Sequence, residues 1–137
     1  MITFTVEGIA RPQGSKRHVG HGIMVESSKH VASWRNWVRM KAVQAMVGHD
    51  VMQGPVQVFI NFAFDRPKSH STKKGLRPTA PTYHTSKPDA DKLLRAVLDA
   101  LTGVCFRDDS QVAWVNMQKI YTERSAETAI TIWELTQ

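Results

Sequence analysis

The run from Val56 to Phe64 limits the fold more than any other stretch. Val56, Val58, Ile60, Phe62 and Phe64 alternate strictly, and Phe59 and Ala63 make the intervening face apolar as well. Period-two alternation is the mark of a strand. A strand apolar on both faces needs cover on both, so it belongs at the centre of a sheet. Other strands must supply its neighbours. Ile2, Phe4 and Val6 alternate with Thr3 and Thr5, and Gly22 to Val25 reads as a second, short strand. Gln111 to Tyr121 and Thr128 to Leu135 read as an antiparallel pair turning through residues 123–127. In the first of these, Val115, Met117, Lys119 and Tyr121 share one face, opposite Val112, Trp114 and Ile120.

Two stretches carry helical spacing. Val31, Trp34, Val38, Ala42 and Ala45 form the buried stripe of a long helix, capped by Ser27 or Ser28 and stopped near Gly48. Arg35 and Arg39 share a neighbouring face four residues apart, which reads first as solvated, with DNA contact as the alternative. Leu93, Leu94, Val97, Leu98 and Leu101 supply the apolar face of a second helix, with Pro88 at its start and Gly103 at its end. The expected architecture is α/β, a mixed sheet packed with two main helices. With 137 residues and 42% hydrophobic content, residues 1–137 suit one domain with a real core.

Charge is unevenly placed. Residues 1–88 hold 13 Lys and Arg against 4 Asp and Glu, and residues 89–137 hold 5 against 8. A basic body attracts a phosphate backbone, while a local acidic cluster repels it unless cations fill it. The segment 65–88 has no periodicity and carries Arg66, Lys68, Lys73, Lys74, Arg77 and Lys87, which reads as a flexible basic loop able to order on DNA. Lys16 and Arg17 sit in another basic connection, Gly8 to Gly20. No stretch approaches the ~20 apolar residues of a membrane span, and the start reads as a strand rather than a signal peptide. The single Cys105 permits no internal disulfide, fits a reducing cytoplasm and reads as a small core residue.

The chemistry concentrates between Lys87 and Val112. Asp89 and Asp91, at i and i+2, can converge only if the first is extended while the second opens the helix. Converging carboxylates beside basic residues suit Mg²⁺ acting on a phosphate. The structural alternatives stay open on spacing alone: a helix cap, ion pairs among Asp91, Arg95 and Asp99, and a turn at Asp108-Asp109-Ser110.

The string Lys87-Pro-Asp-x-Asp-Lys-Leu-x-Arg-x-x-Leu-Asp-Ala-Leu-Thr-Gly103, followed by Asp108-Asp-Ser-Gln-Val112, resembles the RusA family of Holliday-junction resolvases, particularly its phage and prophage members. The resemblance implies an endodeoxyribonuclease that cuts branched DNA by two symmetric nicks, as a homodimer, in the cytoplasm of a bacterium or phage-infected host. It implies a Mg²⁺ site, with Mn²⁺ as substitute, on Asp89, Asp91 and Asp109. The family usually has Asn where Lys92 stands, and Lys where Arg95 stands. That lysine approaches the scissile phosphate, so Arg95 inherits a catalytic role with a different shape. Lys119 aligns with a lysine common in the family and joins Lys16, Arg17, Lys73, Lys74 and Lys87 as candidates for DNA contact. Competing readings are a flap or fork nuclease, an inactive junction-binding protein and a cationic structural protein.

Overall fold

The computed structural model of the chain describes residues 1–14, 16–18, 24–26 and 30–136, with side chains throughout except at 16–18 and 24–26. Its strands are β1 (Ile2–Glu7), β2 (Lys16–His18), β3 (Met24–Glu26), β4 (Val56–Asp65), β5 (Ser71–Thr72), β6 (Gly75–Leu76), β7 (Val112–Thr122) and β8 (Glu127–Glu134). Helix α1 (Val31–Ala45) lies between β3 and β4, and α2 (Ala90–Leu101) between β6 and β7. The main sheet runs β1-β8-β4-β7, while β2-β3 and β5-β6 are separate pairs. This is a single α/β domain with a mixed sheet and two helices.

The strand apolar on both faces is interior, as its pattern requires. β4 pairs antiparallel with β8 and parallel with β7. The expected β7–β8 hairpin therefore does not form, because β4 lies between the two. Parallel pairing of β4 with β7 needs a long crossover, and α2 lies within that connection. A direct β7–β8 pair would have pushed the most apolar strand toward an edge.

Both helices contribute to one buried cluster with the even-numbered residues of β4. Val58, Ile60 and Phe62 meet Trp34 and Val38 of α1, Leu93, Val97 and Leu101 of α2, and Phe106. α1 begins after His30, whose φ is 68° and whose side chain makes no capping bond. Ser27 and Ser28, the expected caps, lie outside the described residues. Gly48 and Gly103 follow the two helices with φ of 81° and 82°, a left-handed turn that glycine adopts without strain. Cys105 is fully buried, and burial pushes its thiol up to about 12. That agrees with a core residue.

The segment 65–88 holds more structure than its lack of periodicity suggested. It contains a 3₁₀ turn (Lys68–His70) and the β5–β6 hairpin, with Lys73 and Lys74 exposed at its tip. Arg66 ties the segment down, pairing with Glu123 at 3.0 Å and donating to the Pro81 carbonyl at 2.6 Å. Residues 82–84 then run along the β7 edge, where Tyr121 N–H donates to Thr82 and His84 N–H to Lys119.

Candidate active site

The helix start has the geometry that the Asp-x-Asp spacing demanded. Asp89 is extended (φ −70°, ψ 144°) and its carbonyl accepts the Leu93 N–H at 3.1 Å, so α2 begins at the next residue. Its side chain makes no capping bond. Asp91 follows in the first turn, and both side chains are exposed. The capping alternative therefore does not describe what the Asp89 carboxylate does. Lys92 Nζ lies 3.7 Å from Asp89 Oδ2.

The backbone carrying Asp89 is braced from the sheet. Lys119 reaches across from β7 and donates to the carbonyls of Ser86 at 2.7 Å and Pro88 at 2.6 Å. Its ammonium thus spends two of its three N–H groups on protein oxygens. Next to it, His84 stacks on Phe64 with ring centroids 4.2 Å apart. Burial first, and the Lys119 charge second, hold the His84 imidazole below its ordinary pKa. The Gln13 N–H donates to the Lys92 carbonyl at 2.9 Å and brings residues 9–14 against the same helix start. Between these walls lies a cleft of about 540 Å³, lined in part by Ile9, Arg11, Pro12, Lys87, Asp89 and Lys92.

Asp108 and Asp109 occupy the other end of α2. Asp108 precedes a 3₁₀ turn (Asp109–Gln111) and caps it in a capping box with Gln111. Its carboxylate accepts the Ser110 hydroxyl at 2.9 Å, and that bond leads the causes holding its pKa down. Asp109 is shifted the other way, by desolvation first and then by Asp108 and Asp99. The two neighbours thus divide their work: Asp108 is spent on the turn, and Asp109 is left to other carboxylates. Gln111, present in the quoted motif but given no role there, holds this corner. Its amide donates to the carbonyls of Met52 and Gly54, and its oxygen accepts from the N–H groups of Arg107 and Asp108. Its signals in the sequence were its place in the Asp108-Asp-Ser-Gln-Val112 string and its spacing three residues after a potential cap.

The sequence pattern matches a family profile described as Endodeoxyribonuclease RusA over residues 6–133. The chain belongs to the RusA endodeoxyribonuclease family. It is also 33% identical over 129 residues to "Uncharacterized protein YqaN" of Bacillus subtilis (strain 168), covering 89% of each chain. The three aspartates singled out by the RusA resemblance are arranged as a pair and a single. Asp89 and Asp91 flank the start of α2, whereas Asp109 feels Asp99, which lies two turns and ~12 Å along the helix from Asp91. Among the described residues no three His, Cys, Asp or Glu side chains are grouped closely enough to hold a metal ion. The donor chemistry of the pair still suits Mg²⁺: exposed carboxylates in a position where the ion keeps most of its waters.

The basic residues of this RusA-family chain fall into two groups. Arg35 donates to Gln13 Oε1, Arg39 to the carbonyls of Ala100 and Thr102, and Arg77 to that of Ser69. These, with Arg66 and Lys119, hold the protein together. Lys73, Lys74, Lys87 and Arg95 are exposed. Arg95 makes no ion pair or hydrogen bond among the described residues, so the alternative of a pairing with Asp91 or Asp99 is not seen there. Lys16 and Arg17 lie on β2 opposite Glu26 and Val25, with their side chains outside the described set. No described helix is long and apolar enough to cross a membrane.

Proposed function

We propose that this chain is a Mg²⁺-dependent endodeoxyribonuclease that resolves four-way DNA junctions by paired symmetric nicks, in recombination and repair of bacterial or phage DNA in the cytoplasm. The observation that carries this reading is the Asp89–Asp91 pair, exposed at an extended-to-helix junction, free of any capping duty and braced by Lys119. Asp89 and Asp91 would hold the metal, with Asp109 as the third carboxylate of the site and Mn²⁺ as an alternative ion. A bound divalent ion activates water and stabilises the leaving 3′-oxygen. The protein's own share is positioning and charge. Arg95, one turn along α2 from Asp91, offsets charge on the phosphate, while Lys87 and the Lys73–Lys74 tip follow the backbone, with Lys16 and Arg17 as further contacts. Two symmetric nicks call for two copies related by a two-fold axis. The deciding assay is cleavage of a synthetic four-way junction beside matched linear duplex and flap substrates, with Mg²⁺ and with EDTA. Junction cleavage that needs the metal and exceeds duplex and flap cleavage supports the reading, and equal cleavage of all three sinks it. That no three possible ligands are grouped among the described residues favours one rival, a junction-binding protein without chemistry, for which no substrate is cut.

Two further outcomes follow. Junction affinity is expected to fall steeply with salt, and Lys73→Ala with Lys74→Ala should lower the log–log slope by about 2 while leaving the metal requirement intact. An unchanged slope removes the β5–β6 tip from the DNA surface. Arg95 has no described partner to lose, so Arg95→Ala should leave the melting temperature unchanged yet slow single-turnover cleavage, with Arg95→Lys retaining most of the rate. Near-parental cleavage by Arg95→Ala rules out its catalytic role.

A further inference from the structure

The cleft beside the α2 start has a lining that a metal site does not account for. Its apolar part is built from Ile9, Pro12 and Phe64, with His84 stacked on Phe64. Ile9 is 48% exposed, an apolar surface that the fold itself leaves in water. The charged part is three cations, Arg11, Lys87 and Lys92, against a single carboxylate, Asp89. A hard cation needs carboxylates and water rather than an apolar wall. The His84 Nδ1 is buried with no partner from any other residue, and a polar group left so calls for an explanation. Burial and Lys119 favour the neutral imidazole, which has one donor and one acceptor to place. The walls are fixed in advance. Gly8 N–H donates to the Ala126 carbonyl at 3.0 Å and Gln13 N–H to that of Lys92 at 2.9 Å, so residues 9–12 are pinned at both ends. The volume of about 540 Å³ suits a preformed small-ligand site.

We propose that this cleft receives one unstacked nucleobase of branched DNA, from the nucleotide next to the phosphate that faces Asp89 and Asp91. A nucleotide is a flat apolar body carrying negative charge, and both parts of the lining answer to that description. Ile9 and Pro12 hold the base on one side and the Phe64–His84 wall on another, while Arg11, Lys87 and Lys92 meet the flanking phosphates. Contact between a base and an aromatic ring tolerates any sequence, because every base has a π-face. The imidazole adds a hydrogen bond to the base edge. Drawing a base out of the stack costs least where pairing or stacking is already broken. A branch point breaks the stack and an intact duplex does not, so the cleft gives a preference for branched DNA a physical cause. Phosphate contacts alone give none, since they position DNA without reading the bases. The assignment rests on the proposed function in one respect, that the scissile phosphate lies at the aspartate pair.

The test uses the intact chain in EDTA, where nothing is cut. 2-Aminopurine, which brightens on leaving the base stack, is placed in turn at each nucleotide flanking the branch point of a synthetic four-way junction. Binding of the parent should brighten one position and shield it from quenching by acrylamide. Ile9→Ala should still bind the junction yet lose the shielding, and Ile9→Leu should keep it. Tyr83→Ala should change nothing, although Tyr83 is 60% exposed on the neighbouring segment and offers a rival stacking platform. The 2-aminopurine deoxynucleoside monophosphate, added alone, should stay open to the quencher at the same protein concentration. If Ile9→Ala does not melt cooperatively, photocrosslinking of the parent through iodouracil at the bright position decides, with His84 or Phe64 as the expected residue. The assignment is overturned if no position brightens, if the bright base stays open to acrylamide, or if Ile9→Ala shields it as the parent does. Loss of the signal in Tyr83→Ala, a crosslink to Tyr83, or equal shielding of the free nucleotide overturns it as well. Cleavage in Mg²⁺ is read separately. A shielded base in a chain that cuts no substrate refutes the nuclease reading and leaves the cleft assignment, whereas metal-dependent junction cleavage without a bright base does the reverse. A chain that binds no junction refutes both.

Discussion

Asp91→Asn is expected to slow junction cleavage by more than ~100-fold in Mg²⁺ and to bind the junction in EDTA at least as tightly as the parent. Replacing groups that merely support a metal ligand already costs 10–100-fold in typical sites, so a ligand itself should cost more. Asn keeps the size of Asp but not the charge that holds a hard cation. Asp89→Asn should behave alike, because its carboxylate does no capping whose loss could mimic the effect through stability. Asp109 and Asp108 give the internal contrast. Asp109 has its pKa raised, by desolvation and then by Asp108 and Asp99, so the fold carries its charge at a disadvantage. That penalty is present above the ordinary carboxylate range and is relieved as the pH falls through the raised value. Asp109→Asn should therefore leave the melt unchanged or slightly higher at neutral pH, while cleavage is lost. Asp108 is shifted down, and its contribution disappears as the pH falls through the depressed value. Asp108→Asn should cost stability through the Ser110 bond and spare cleavage. Melts, gel shifts in EDTA and single-turnover rates on the four variants test the assignment together. Loss of cleavage in Asp108→Asn with retention in Asp109→Asn reverses the choice between neighbours. Parental rates in all four remove the metal site altogether.

What the sequence disclosed follows from the range of the forces involved. The helix start at Asp89 was legible because Pro88, the Asp-x-Asp spacing and the 3.6-residue recurrence of Leu93, Val97 and Leu101 act within one turn or two. The central place of β4 was legible because its two apolar faces permit no other. The pairing of β7 was not, since a hairpin and a crossover both satisfy its alternation, and only competition for the two edges of β4 decides between them. The bonds of Lys119 were hidden for a similar reason. A lone lysine on a strand looks like a free cation until the carbonyls of Ser86 and Pro88, more than thirty residues earlier, come to meet it. Arg35, Arg39 and Arg66 hide comparable long-range bonds. Charge counting along a chain thus overstates how many cations face a ligand.

Lys119→Met should reduce single-turnover cleavage by ~100-fold while leaving EDTA junction affinity and its salt slope as in the parent. The methionine keeps the length of the side chain but donates nothing, so the Ser86 and Pro88 carbonyls lose charge-assisted bonds of 2.7 and 2.6 Å. Asp89 follows Pro88 directly, and a displacement of about 1 Å at a reacting group can cost 10²-fold in rate. A lysine that instead contacted a phosphate would behave differently. Its removal would weaken binding uniformly and lower the salt slope by about 1. His84 supplies a readout independent of cleavage. Its imidazole is held down by burial and, second, by the Lys119 charge, so Lys119→Met should move its titration upward toward the ordinary histidine value. The linked stability has a definite sign. A histidine with a depressed folded pKa opposes folding increasingly as the pH drops below ~6.5, and the variant should lose less stability across that window. An NMR titration of the His84 ring protons beside melts at pH 5 and 8 measures both effects. If cleavage falls together with the salt slope while the His84 titration stays in place, Lys119 is a phosphate contact and the bracing role is wrong.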